Sequence, residues 1–205
     1  MMWFDNVDHT WLMKFLAHRI SDQRVLRLIH KWLRAGVSED GEWSETSVGT
    51  PQGAVISPLL ATIYLHYVLD LWIDRWRRQP GRGDVVIVRY VDDFVVGFQN
   101  KADAEACLTA LRERFAKFGL SLHPTKTRLI EFGRFAQERR ANRGEGRPET
   151  FDFLGFTHRC DSSRKTGWFV LRRETIAARM RATLAAIKAK LLQRRHWSVG
   201  EVGRW

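Results

Sequence analysis

Apolar residues recur at helical spacing through the first part of the chain. Leu12, Phe15, Leu16 and Ile20 are followed by Val25, Leu26, Ile29 and Leu33, so residues 10–35 are expected to form one or two helices. Ser38 to Gly49 is polar and glycine-bearing, which predicts a loop or a short hairpin. Pro58 suits the opening turn of a helix whose buried face would carry Leu60, Tyr64, Tyr67 and Leu71. Gln79-Pro80-Gly81-Arg82-Gly83 breaks that helix. Beyond it, Val85 to Tyr90 and Phe94 to Phe98 are rich in β-branched and aromatic residues. They flank Val91-Asp92-Asp93, which predicts a hairpin with the acidic pair at its tip.

A second helical stripe, Ala104, Leu108, Leu111, Phe115 and Phe118, ends at Gly119 in the C-cap position. Leu120–Leu122 and Thr127–Phe132 are expected to be extended. Residues 135–149 are rich in arginine and glycine and almost lack apolar residues, which predicts a mobile basic loop. Phe151–His158 and Trp168–Leu171 should form a further hairpin around Ser162–Gly167. Ile176, Met180, Leu184, Ile187 and Leu191 mark a final helix. The order of elements predicts an α+β fold, an antiparallel sheet packed on helices with a basic helical piece after it.

Composition refines this picture in two ways. At 44% hydrophobic and 12% aromatic, the 205-residue chain has enough apolar residues for a sizeable core, and disorder is excluded as its general state. No run approaches the roughly 18 apolar residues of a membrane span, and the N-terminus has no secretory pattern. Cys107 and Cys160 are far apart, without partners at metal-ligand spacing, so a reducing, cytoplasmic location and no membrane partner are expected. The formal net charge of +11 points to a polyanion. From Phe132 to Trp205 there are 17 Lys and Arg against 7 Asp and Glu, so nearly all of the excess lies in the last third.

The candidate chemistry begins at Asp92-Asp93. Adjacent carboxylates between apolar strands repel one another, and divalent cations relieve that repulsion. Mg²⁺ prefers such hard oxygen ligands and accepts substrate phosphates as well. An Asp-Asp pair also suits an ordinary turn, so the neighbouring motifs carry the distinction. Upstream, Gly49-Thr50-Pro51-Gln52-Gly53 precedes Ser57-Pro58-Leu59-Leu60, a glycine-flanked turn feeding a helix. Its backbone N–H groups and the Gln52 amide would be free to meet a nucleotide or a template. Downstream, Lys126 follows Gly119-Leu120-Ser121-Leu122-His123-Pro124, where it would reach a triphosphate.

Taken in order, these motifs resemble the reverse transcriptases encoded by group II introns, the maturase type. The match runs through Phe4-Asp5-Asn6-Val7-Asp8-His9, the Gly49–Gly53 and Ser57–Leu60 segments, and Arg89-Tyr90-Val91-Asp92-Asp93-Phe94. It continues through Gly119–Lys126 and Phe151-Asp152-Phe153-Leu154-Gly155-Phe156. The resemblance implies a polymerase palm over residues 1–158 and the start of a basic, helical thumb over residues 159–205. It implies RNA-directed DNA synthesis with two Mg²⁺ ions, for which Mn²⁺ would substitute. The partners would be an intron RNA template, a DNA primer and deoxynucleoside triphosphates.

By the same resemblance Asp92 and Asp93 are catalytic metal ligands, while Phe4 is the aromatic gate that excludes a ribose 2′-hydroxyl. Gln52 and Lys126 join Phe4 at the nucleotide. Pro51, Gly53, Tyr90, Phe153, Leu154, Gly155, Arg172 and Arg173 would contact template and primer. The family's first catalytic aspartate would fall just before residue 1, as would the fingers. The chain alone is therefore expected to be an impaired polymerase, with exposed palm surface prone to self-association. The alternative function is that of a non-catalytic RNA-binding maturase that assists intron folding and splicing.

Overall fold

A computed structural model describes residues 7–34, 37–39, 42–44 and 56–202. The chain divides into two compact units, residues 1–129 and 130–205. Position 158, the palm boundary expected from the sequence, lies within a strand of the second unit.

In the first unit, helix α1 (His9–Ala17) starts where the Asp8 carboxylate accepts from the Thr10 and Trp11 amides, satisfying two donors that a helix start leaves open. Helix α2 (Gln23–Arg34) buries Leu26, Ile29 and Leu33 of the stripe read from its spacing, while Val25 is exposed. A short hairpin follows, β1 (Val37–Glu39) with β2 (Glu42–Ser44). Helix α3 (Ser57–Leu65) carries Pro58 in its first turn, where the missing N–H costs nothing. It runs into a π-helical turn, His66–Asp70, and then helix α4 (Leu71–Arg77).

That π turn corrects the expected buried face. One extra residue per turn rotates everything beyond it, so Leu71 is exposed, while Val68, Leu69, Ile73 and Trp76 are buried. Arg114, on helix α5 (Lys101–Lys117), stabilises the irregular turn. Its Nε donates to the Val68 carbonyl at 3.1 Å and its Nη2 to the Tyr67 carbonyl at 3.3 Å. Burial holds the Arg114 guanidinium below its usual pKa, and nearby Arg75 adds to this.

Strands β3 (Val85–Tyr90) and β4 (Asp93–Phe98) form an antiparallel hairpin. Its Ile87 and Phe94 pack on a core that includes Leu12, Leu33, Tyr64, Leu69 and Phe115. Val96 and Phe98 pack on a smaller cluster around Ile73, Trp76 and Cys107. Tyr64 is buried, and its hydroxyl donates to the Phe118 carbonyl at 2.8 Å, which keeps the one polar atom of that ring satisfied. Leu120–Leu122 and residues 127–129 are not strands, contrary to expectation. The Thr127 amide donates to the His123 carbonyl, closing a turn between the two segments.

The second unit holds the sheet β5 (Phe151–Phe153), β6 (Phe156–Ser162) and β7 (Phe169–Thr175), antiparallel throughout. Residues 130–132 ahead of it, also expected to be extended, form no strand either. Helices α6 (Ala136–Asn142), α7 (Ala177–Gln193) and α8 (Val199–Val202) complete the unit. Helix α6 corrects the loop expected over 135–149 for residues 136–142, while residues 143–149 hold no helix or strand. Ala136 is buried, and Arg143 pairs with both Glu131 and Glu145, so charge pairing does there what apolar content does not. Mixed helices and antiparallel strands bear out the α+β reading.

Candidate active site

The β3–β4 hairpin presents the acidic pair because its two faces differ. Val85, Ile87 and Arg89 point inward, while Val86, Val88 and Tyr90 on the other face are exposed. Directly opposed residues share a face, so Tyr90 and Asp93 lie together at the outer end of the ladder. The turn consists of Val91 and Asp92. Val91 has φ of 54°, a left-handed conformation that a β-branched residue adopts only when its surroundings hold it there.

Asp92 is half-buried and Asp93 exposed. Two adjacent carboxylates offer a hard-oxygen donor set that fits a divalent cation retaining several waters. Among the described residues no group of three His, Cys, Asp or Glu completes a fuller shell.

The structure brings Tyr90 together with this turn. Lys126 sits in the exposed turn after His123, within the same unit. Phe4, Pro51, Gln52 and Gly53 lie outside the described residues.

In the second unit, Phe153 closes β5, and Leu154 and Gly155 form a two-residue turn with φ of 51° and 83°. Positive φ at both positions is the geometry that tight hairpins favour, and a glycine supplies it at least cost. A Cβ on Gly155 would also meet the Arg179 guanidinium at 2.5 Å. Arg172 is not a free cation, because its Nε lies 2.5 Å from the Asp161 carboxylate. Arg159 joins both Asp161 and Glu174 at 3.2 Å. The Ser162 amide, donating to Asp161 beside Arg172 and Arg159, holds that carboxyl below its ordinary range. Arg173 is exposed.

Sequence reasoning missed one group beside the acidic turn. Arg89 donates through Nε and Nη2 to the two oxygens of Asp70, at 2.8 and 2.5 Å, and through Nη1 to the Val91 carbonyl at 2.7 Å. A signal existed: a charged residue at an inward position of an apolar strand demands a buried partner.

The family profile described as reverse transcriptase (RNA-dependent DNA polymerase) matches residues 2–158. The chain belongs to the reverse transcriptase family. Reverse transcriptases in general work with divalent metal ions. The group II intron-encoded protein LtrA of Lactococcus lactis subsp. cremoris is 43% identical over 83 residues, covering 38% of this chain and 14% of LtrA. The 91 kDa protein in the cob intron of Schizosaccharomyces pombe is 42% identical over 76 residues, 37% of this chain and 9% of that protein. Protein YkfC of Escherichia coli K12 is 35% identical over 160 residues, 64% of this chain and 42% of YkfC. The chain thus spans less than half the length of each relative. The resemblance to group II intron-encoded reverse transcriptases is borne out by these matches. Among the described residues no helix is long and apolar enough to cross a membrane.

Proposed function

We propose that this chain is the RNA-directed DNA polymerase part of a group II intron reverse transcriptase/maturase. The observation that carries the reading is the Asp92-Asp93 turn, held at the tip of a core-anchored hairpin inside the segment that matches the family. In this reading the first unit is the palm, and α7 begins a thumb.

Asp92 and Asp93 would hold two Mg²⁺ ions, which when bound would supply activation of a primer 3′-hydroxyl and charge stabilisation on the leaving pyrophosphate. Phe4 excludes a ribose 2′-hydroxyl, Gln52 lies against the sugar and Lys126 meets the phosphates. Pro51, Gly53 and Tyr90 contact the template-primer duplex. Phe153, Leu154 and Gly155 grip the primer, and Arg173 with the basic positions of α7 follows the backbone of an intron RNA template paired with its DNA primer. The proposed seat is the bacterial cytoplasm, away from membranes.

Primer extension on an RNA template tests the proposal. The expected result is weak Mg²⁺-dependent addition of deoxynucleotides, as for the impaired polymerase expected from the sequence, which Asp92→Asn abolishes. Tight RNA binding without extension, in Mg²⁺ and in Mn²⁺, would overturn it in favour of a non-catalytic maturase. For the gate, Phe4→Ala should admit ribonucleotides, and unchanged sugar selectivity removes Phe4 from that role.

A further inference from the structure

Arg89 occupies an inward position on β3, where its neighbours Val85 and Ile87 are apolar. Only 13% of its side chain is exposed, against 29% for Asp70. The planar guanidinium forks onto both Asp70 oxygens and still has an N–H edge left, which meets the Val91 carbonyl at 2.7 Å. Val91 is the residue in the left-handed conformation, immediately before Asp92.

Asp70 is itself aimed. It ends the π turn, whose extra residue rotates it relative to a regular helix, and Arg114 holds that turn through the Tyr67 and Val68 carbonyls. His66 Nδ1 lies 3.3 Å from the second Asp70 oxygen. Helix, fork and strained turn are thus connected in sequence, and the last link borders the acidic pair.

We propose that Arg89 is a positioning residue: anchored by Asp70, it fixes the Val91 carbonyl and thereby sets the direction in which Asp92 and Asp93 leave the hairpin. The inference rests on the proposed metal role of those carboxylates. A lysine cannot replace Arg89, because a single ammonium cannot span two carboxylate oxygens and a carbonyl in one plane. An ion pair of reversed polarity cannot replace it either, because an aspartate at position 89 has no donor for Val91.

The test uses the full chain with Arg89→Lys and with the double variant Asp70→Arg/Arg89→Asp. It reads melting temperature, amide exchange at Tyr90 and Asp93 without metal, and Mn²⁺-induced NMR broadening at Asp92. The expected result for Arg89→Lys is exchange at the turn faster by about tenfold or more, as for a local opening, with exchange in α5 unchanged and Mn²⁺ binding about tenfold weaker. The double variant is expected to recover the melting temperature but neither the turn protection nor the Mn²⁺ affinity. Full recovery of turn protection and Mn²⁺ affinity by either variant would overturn the proposal, reducing Arg89 to a structural ion pair. Absence of broadening at Asp92 in the unaltered chain, with Asp92→Asn as control, overturns the metal reading of the turn. The exchange measurement still decides the clamp.

Discussion

Two hairpins in this protein have similar secondary structure and opposite surroundings. β3–β4 lays one face on a core of Leu12, Leu33, Tyr64 and Phe115, each nearly or fully inaccessible to water. β6–β7 and the helix after it bury almost nothing: α7 has no buried residue, and Met180, Leu184, Ile187 and Leu191 are all exposed. Charge divides the same way, with the basic excess concentrated after Phe132. The first region is built to fix two carboxylates against a rigid support. The second keeps its surface open and cationic, which suits a long, flexible polyanion whose backbone carries the binding energy. In the proposed function, precision is needed where phosphates would react, and coverage where they would only be held.

The contrast can be broken most sharply in the core. Phe115→Ala removes a fully buried ring and should cost about 3–5 kcal/mol in denaturant unfolding, with loss of metal response at Asp92. A loss under 1 kcal/mol would mean that the hairpin does not depend on that support. In the basic region, replacing Arg179, Arg181, Lys188 and Lys190 by Gln should flatten the slope of log K against log salt for single-stranded RNA by about 3. An unchanged slope would separate α7 from RNA contact.

A smaller effect is expected from Cys107, whose thiol burial pushes up to about 11, partly offset by nearby Arg82. Because the folded pKa is raised, the contribution is complete below the unfolded value near 9. It is lost as pH rises towards 11. Unfolding measured across that window should show a decline that Cys107→Ala lacks. Smallest of all, Leu184→Gln on exposed α7 should change stability by less than about 0.5 kcal/mol, and a large loss would reveal a hidden partner for that face.

Much of the fold was legible from spacing. Helices α1, α2, α5 and α7, the β3–β4 hairpin and the turn of the last hairpin all lie where the hydrophobic period placed them. Helix α6 was not legible, because it has no apolar stripe: Ala136 is its buried residue, and Arg143 at its end pairs with Glu131 and Glu145. The segments expected to be extended after Leu120 pair with no strand, and the Thr127 amide instead closes a turn between them onto the His123 carbonyl.

For the acidic turn, the sequence by itself determined the family and marked the candidate residues. Carboxylates, glycines and apolar runs in that order encode those locally. Only the tertiary structure decided how the turn is held. Asp70 and Arg89 are 19 residues apart, and a helix pattern read at regular spacing assigns Leu71 to the buried face. The inserted residue of the π turn shifts that register. It takes Leu71 out to solvent and carries Asp70 to Arg89. Hydrophobic periodicity records the average helix, and the slip in it is met by Arg114, packed from another helix, which donates to the Tyr67 and Val68 carbonyls.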